Sequence, residues 1–445
     1  MKDMIEKLLT AAKKAGIQPF EARIETSGKL SVATFNTEVE NYTVAETATL
    51  KVRGLIDGKC GVFTSDRVDE GVVDTAIAAL KESAKYGNPV DPDFFVDGKT
   101  YKYEKLELFD EKLAALPAQA FIALATSVSE KTLKRDARIE SVNVQVEYEY
   151  GSLRMANSNG LDVSHRNNLV FVFGSVKAAD GDEVESGEYY EFVGDTDKFD
   201  ADAFAAKLAD DAVNAFGGSS VDSGKYKVVY SPDCVAALMS AVKNGFSAFN
   251  AENHLSLLEG KLGQKVFSPL LTVEQTPIGD GPFCSPFDDE GVPCGNGLLI
   301  DKGVPTDYVY DLATAKRAGK KSTGNGSLVG GNIRPAIGSM TVRCGGKSLE
   351  ELFEHIGDGL YLTSLAGIGT GLNPQSGAYS LQSSGFAIKN GKIDRPVSLV
   401  TVAGNIMTDF ADVTAVGSDA KQTYYGINTP SLAIGSLSVS GVKKA

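Results

Sequence analysis

Three consecutive acidic residues stand in a short segment framed by proline, glycine and aromatic residues. Asp288, Asp289 and Glu290 follow Phe287 and precede Val292 by two positions. The two apolar residues are expected to hold this loop against a core, which would fix the carboxylates in place. Such a loop can bind a cation, accept backbone N–H groups or hold a peptide amine. The alternative is that the acids only cap turns or pair with Lys and Arg side chains.

A second candidate segment, residues 369–380, combines glycines with small polar side chains immediately before a predicted strand. Gly371, Asn373 and Ser380 are its candidate contact residues. Glycines allow another backbone to approach closely, as a groove for an extended peptide requires. They serve equally well as packing residues in a crowded sheet. Together with the three acids, these residues are the candidate substrate groove.

Metal ligands are scarce. The three histidines, His165, His254 and His355, lie far apart, and no His-Glu-x-x-His motif occurs. The five cysteines are dispersed and form no Cys-x-x-Cys pair, so we expect reduced thiols that are mostly buried. We expect no metal to be bound by these residues.

The composition excludes several function classes. The chain has 445 residues, 58 acidic and 44 basic, with a formal net charge of −14. This surface repels phosphate backbones, so direct binding of nucleic acid is not expected. No apolar run approaches the length of a membrane span, and charges interrupt the N-terminal apolar positions, unlike those of a signal peptide. We therefore expect a cytoplasmic protein without membrane attachment.

The elements that must position these residues can be read from periodicity. Apolar residues at helical spacing predict helices over residues 5–16, 68–86, 117–134, 201–216 and 232–249. Alternating or β-branched runs predict strands at 21–25, 30–35, 47–56, 60–64, 139–150, 161–176, 185–192, 226–230, 331–343, 378–389 and 397–404. Asp57-Gly58 and Asn390-Gly391 are hairpin turn signals.

Separate runs of helices and strands, with few βαβ alternations, favour an α+β fold. We predict two halves. Residues 1–220 form an N-terminal helix and antiparallel-sheet half, with sub-blocks at about 1–90 and 105–220 joined by a linker near 87–102. Residues 221–445 form a β-rich C-terminal half.

These motifs together resemble the TldD/PmbA family, whose members are called modulators of DNA gyrase and are treated as metallopeptidases. The resemblance covers nearly the whole chain and depends on the order and spacing of several motifs. They are Val52-Arg53 through Asp57-Gly58 and Gly61, residues 156–160, 287–293, 324–326 and 371–374, and Pro396-Val397 with residues 403–405.

The family has two kinds of subunit. TldD-like subunits carry a His-Glu-x-x-x-His helix that binds the metal, and the corresponding stretch here is about Met239 to Asn244, without a ligand. The chain therefore resembles the PmbA or TldE type, which lacks a metal site. Another departure is Ala378-Tyr379, where relatives often have Asp-Phe, so one carboxylate of the supposed groove is missing.

The resemblance implies a subunit of a two-subunit cytosolic metallopeptidase that binds unfolded peptides for proteolysis. Zinc is expected in a TldD-like partner, and the resemblance implies neither zinc nor a catalytic residue in this chain. On its own, the chain is expected to form a homodimer with two-fold symmetry.

Two other functions stay open. The chain can be a non-catalytic regulatory protein that binds peptides or gyrase-directed toxins or antitoxins. It can also be an autonomous hydrolase built from its cysteines and histidines, which predicts bound metal or alkylation-sensitive cleavage in the isolated chain.

Overall fold

The computed structural model describes residues 2–329 and 332–442. The N-terminal half contains long strands and a few helices. In chain order they are α1 (Lys2–Lys14), β1 (Phe20–Phe35), β2 (Glu38–Ile56), β3 (Lys59–Ser65), α2 (Val72–Ala84), α3 (Glu111–Ala114), α4 (Ala118–Leu133), β4 (Ile139–Asn157), β5 (Asp162–Asp180), β6 (Glu183–Val193) and α5 (Ala201–Val213).

These strands form one antiparallel sheet in the order β3-β2-β1-β4-β5-β6. Alternate residues of these strands face a helix layer, because side chains in a strand point to opposite sides in turn; residues 38–47 of β2 are the exception and are all exposed. Helices α1 and α2 pack on one end of the sheet, and α4 and α5 cover the other end. Each helix pair thereby encloses its own apolar core.

The predicted helices and hairpin of this half are confirmed, with some boundaries shifted. Asp57 and Gly58 both have positive φ angles, as a tight hairpin turn between β2 and β3 requires. The strands predicted at 21–25 and 30–35 are one continuous strand, β1. Gly28 lies in the middle of β1. A Cβ atom at this position would lie 2.1 Å from the Tyr150 ring, so close packing explains the glycine and the strand continues through it.

The C-terminal half is built from shorter elements. They are β7 (Gly224–Tyr230), α6 (Pro232–Gly245), α7 (Ala248–Glu252), β8 (Val273–Gln275), β9 (Gly297–Asp301), β10 (Val304–Pro305), α8 (Leu312–Ala318), β11 (Gly326–Val329), β12 (Asn332–Pro335), β13 (Met340–Val342), α9 (Leu349–Ile356), β14 (Gly359–Ala366), α10 (Ile368–Gly371), β15 (Ala378–Lys389), β16 (Lys392–Asn405), α11 (Ile406–Ala411), β17 (Val413–Val416), β18 (Lys421–Gln422), β19 (Ile427–Thr429) and β20 (Leu432–Gly441).

Five of these strands close into a barrel. Strand β7 pairs with β14 and β20, β15 joins β14 to β16, and β16 pairs back onto β20. A second sheet runs β10-β9-β8-β13-β19-β18. Helix α6 is buried against both, and its residues join the largest apolar core of the protein.

Several predictions for this half need correction. Helix 232–249 is divided into α6 and α7. The strand predicted at 331–343 is two strands, β12 and β13, and Gly331 lies outside the described residues. In the N-terminal half, the predicted linker near 87–102 is packed, because Phe95 and Val96 are 2% and 3% exposed. Strands β8 to β11, β14 and β17 to β20 were not predicted.

The fold is thus α+β with two parts, an antiparallel-sheet N-terminal half and a β-rich C-terminal half. Within the part of the chain that the structure describes, every helix falls short of the length and apolar content needed to span a bilayer.

Candidate functional site

The three acidic residues predicted from the sequence lie in a loop between the two halves. Asp288 and Glu290 are buried, at 8% and 3% exposure. Asp289 keeps about a quarter of its side chain exposed, at 25%. The loop begins and ends at a bridge between Phe287 and Pro293, which makes it a compact turn.

Asp288 is bound by backbone donors on both sides. Its Oδ1 accepts hydrogen bonds from the backbone N–H groups of Glu290 and Val292, both at 2.9 Å. Its Oδ2 accepts one from Gly326 N at 2.7 Å. The carboxyl group therefore fixes its own turn and ties that turn to β11.

The other two acids connect the loop to further elements. Asp289 Oδ2 accepts from Leu328 N at 2.7 Å, and its Oδ1 lies 2.6 Å from the Arg23 guanidinium on β1. Glu290 Oε2 accepts from Leu312 N, at the start of α8, at 2.8 Å. Of the roles considered for these acids, the structure shows two. All three accept hydrogen bonds from backbone N–H groups, and Asp289 pairs with an arginine.

Apolar residues complete the contact between the halves. Phe287 and Val292 are 3% and 2% exposed and pack in a cluster with residues of β4, β5 and the 96–103 segment. The Phe287 ring meets Tyr103 edge-on at 6.0 Å and His165 at 5.3 Å. The Tyr103 hydroxyl donates to Gly291 O at 2.8 Å. Phe287 and Val292 therefore hold the loop against a core that includes residues of the N-terminal half.

Burial changes the proton affinity of two of these acids. It raises the pKa of Asp288 to about 7, against the hydrogen bonds from Gly326, Val292 and Glu290 that favour the charged form. Burial together with the nearby Asp288 raises the pKa of Glu290 to about 8, although Leu312 N–H and Arg53 act in the opposite direction. Both groups therefore hold a proton more tightly in the folded protein than in an unfolded chain.

The glycine-rich segment lies at the surface of the barrel. Residues 370–374 and 378–380 line a cavity of about 490 Å³. Asn373 Oδ1 accepts from Gln375 N and Ser376 N, both at 3.0 Å, and so shapes the loop. A Cβ on Gly371 would lie 2.5 Å from Ser380 O, which explains the glycine. Asn373 and Ser380 are exposed.

The structure does not bring the two candidate groups into one groove. The acids pack against β1, β11 and α8, whereas Gly371, Asn373 and Ser380 belong to the surface around the start of β15. The acid loop joins the halves, and the glycine-rich loop faces outward.

A larger cavity, not predicted from the sequence, separates the two halves elsewhere. This cleft has a volume of about 1090 Å³. One wall comes from β5, β6 and α5, and the other from the start of α6, from β14 to β16 and from residues 419–425. Because its lining comes from distant parts of the chain, no local motif marks it. The paired tyrosines Tyr189-Tyr190 and Tyr424-Tyr425 were its one visible signal.

Residues 239–244, which the resemblance to the family sets against the metal-binding motif of TldD-like subunits, lie in α6. Met239 is fully buried in the core, Ser240 donates to Ala237 O in its own helix at 2.7 Å, and Asn244 is exposed. A thioether, a bonded hydroxyl and an amide are not the imidazole, thiolate or carboxylate ligands that zinc prefers. Met239, Ser240 and Asn244 therefore do not fit a zinc ion.

The remaining histidines are placed apart from one another. His165 packs on Phe287, and burial lowers its pKa. His254 lies 2.7 Å from Glu259, and His355 lies 3.2 Å from Thr414. Among residues 2–329 and 332–442, no group of three or more His, Cys, Asp or Glu side chains is arranged to hold a metal ion. The five cysteines are free thiols, but the expectation that most of them are buried is wrong, because only Cys234 is.

Comparison with known proteins identifies relatives of this chain. The family profile described as "PmbA/TldA metallopeptidase C-terminal domain" matches residues 223–441, and that of the "central domain" matches residues 111–216. Metalloprotease PmbA of Escherichia coli O157:H7 is 24% identical over 95% of this chain and 92% of its own length. An uncharacterised protein of Methanocaldococcus jannaschii is 28% identical over 92% and 93%.

Solved structures of other proteins have the same fold. A proposed DNA gyrase modulator from Thermotoga maritima superimposes with a TM-score of 0.91 at 27% identity, over 99% of this chain and 100% of the other. TldE from Thermococcus kodakarensis shares the fold, with a TM-score of 0.89 at 20% identity over 98% and 100%. Proteins named TldD homologues also match, at 25% and 23% identity. This chain belongs to the PmbA/TldD family of metallopeptidases.

Proposed function

We propose that this chain is the metal-free subunit of a two-subunit peptidase, in which a TldD-like partner holds the zinc. This chain helps to enclose and hold an unfolded peptide. The observation that carries the proposal is the composition of α6, which lies in a metallopeptidase fold but offers Met239, Ser240 and Asn244 in place of ligands. Relatives of both the PmbA and the TldD type support such a pairing.

Substrate contact is assigned to the exposed glycine-rich loop. Gly371, Asn373 and Ser380 border an open cavity beside β15, and small side chains there leave room for a peptide backbone. Asp288 and Glu290 support the subunit from inside, because they fix the loop that joins its halves. Asp289 is the member of this group that retains exposure for a ligand.

Expression with and without a TldD-like partner tests the pairing. The complex should contain zinc and cleave unfolded peptides, whereas the isolated chain should do neither and should form a homodimer. Zinc content, peptide hydrolysis and molecular mass in solution are measured for both samples. Zinc or cleavage in the isolated chain would overturn the proposal. If no metal-bearing subunit co-purifies and peptides still bind, the chain is a binding module.

A matched pair of variants tests the loop. Ser380→Arg places a long side chain in the cavity, and Gln382→Arg places one on the same exposed face of β15, two residues further along. We expect the first variant alone to lower the rate of peptide cleavage by the complex, at unchanged assembly. Equal rates in both variants would remove the loop from substrate contact.

A further inference from the structure

The cleft between the halves has the size and the edges to hold a chain segment. Its volume of about 1090 Å³ is slightly above the range of small-molecule pockets. Residues of β6 and β18 line it, and these are the outer strands of their respective sheets. Outer strands present backbone groups that an extended peptide can use for pairing.

Aromatic rings cover much of the wall. Tyr190 is the centre of this surface, with ring centroids of Tyr424 at 5.4 Å, Phe171 at 5.8 Å and Phe192 at 6.2 Å. The faces of such rings carry partial negative charge and attract cations. The cleft therefore offers both apolar contact area and cation binding.

The charged residues of the lining are mostly acidic. Six carboxylates face two lysines, Lys207 and Lys421. Lys207 lies 3.6 Å from Glu191, and Lys421 lies 2.8 Å from Asp233, so each lysine already has a carboxylate partner. The six acids are Glu185, Glu188, Glu191, Asp211, Asp233 and Asp419. The cleft has an excess of negative charge, and its field concentrates cations.

Lys421 shows how an ammonium group is held in this surface. Its Nζ lies 4.0 Å from the Tyr190 ring centroid and 5.0 Å from that of Tyr189. The same nitrogen donates to Asp233 Oδ2, and Asp233 Oδ1 accepts from the Tyr190 hydroxyl at 2.5 Å. An aromatic ring and a carboxylate thus bind one side-chain cation together.

We propose that the cleft between β6 and β18 binds an extended peptide segment through its Lys or Arg side chains, and that Lys421 occupies one of the cation subsites in the free protein. The negative excess selects a basic ligand, and the volume and outer strands favour a peptide over a small cation. This site goes beyond the proposed function, because it needs no partner subunit and does not involve α6 ligands or the glycine-rich loop.

Calorimetric titration of the full chain with short synthetic peptides tests the proposal. A peptide that alternates Lys and Ser should bind at low ionic strength and more weakly as salt is added. The isomer with Glu in place of Lys should not bind. Lys421→Ala should tighten binding of the basic peptide several-fold, because it vacates a subsite. Equal binding of both peptides, or weaker binding by Lys421→Ala, would overturn the proposal.

Two double variants of equal charge locate the site. Glu188→Gln with Glu191→Gln removes two charges from the cleft, and Glu107→Gln with Glu140→Gln removes two exposed charges elsewhere. The first pair should weaken binding of the basic peptide about fivefold, since each partly exposed charge contributes modestly. Similar losses in both pairs would show attraction to net charge only. Spermine is the small-cation control, and binding it as tightly as the peptide would also overturn the assignment.

Discussion

Glu290 offers the sharpest test of the physical description, through the variant Glu290→Gln. The ordinary pKa of its carboxyl group is 4.5. In the folded protein, burial and the nearby Asp288 raise this pKa to about 8. Since the folded state holds the proton more tightly, the stability linked to this group is fully present below pH 4.5 and is lost as pH rises to about 8. Gln keeps an acceptor for Leu312 N–H but has no proton to lose.

The magnitude follows from the width of this window. Each pH unit within it changes the free energy of unfolding by about 1.4 kcal/mol for one group. The limit is therefore about 5 kcal/mol, and a shift of the loop toward water after ionisation would make the measured gain smaller. Relative to the native chain, the variant should gain this much stability between the two pKa values.

Urea unfolding at a series of pH values measures the effect. Circular dichroism is a suitable signal because the chain has no Trp. Glu140→Gln, at an exposed side chain paired with Lys177, is the control and should run parallel to the native chain. A Glu290→Gln curve that also runs parallel, or an advantage that shrinks as pH rises, would refute the assignment of a protonated, buried Glu290.

Two further substitutions test packing. Phe287→Ala should lower the free energy of unfolding by about 3–5 kcal/mol, because it empties the apolar contact between the halves. The control is Leu298→Ala, at an exposed side chain, which should change the free energy of unfolding by no more than about 0.5 kcal/mol. Equal losses of stability in urea unfolding would contradict this prediction. Tyr379→Phe removes the hydroxyl that donates to Asp409 Oδ2 at 2.6 Å. It should cost about 1–3 kcal/mol, and an unchanged melting temperature would show that the bond contributes nothing.

Local features of the fold were predictable from the sequence. The turn at Asn390-Gly391 joins β15 to β16 with both φ angles positive, as its residue types indicate. The helices of the N-terminal half follow their apolar spacing because each packs one face on a sheet. Strand β14 was not predicted because glycines and small residues, which are typical of loops, stand at both of its ends, at Gly359 and after Leu365.

The candidate site was predictable in part. Spacing and composition singled out Asp288 and Glu290, and Phe287 indicated that their loop is packed. What the sequence could not show is the direction in which the carboxyls point, because their donors at Gly326 and Leu312 lie 38 and 22 residues away. The cleft was missed for the same reason, since its walls come from both halves.

The closed barrel has a consequence for the order of folding during synthesis. Strand β7 needs β20 beside it, with Leu432 opposite Tyr230, and β16 needs the same strand on its other side. The ribosome makes β7 about 200 residues before β20, so both neighbours expose unpaired edges until the late strand emerges. Contacts this distant in sequence slow folding. The nascent C-terminal half should therefore depend on chaperones, and losing β20 should open the barrel rather than shorten it.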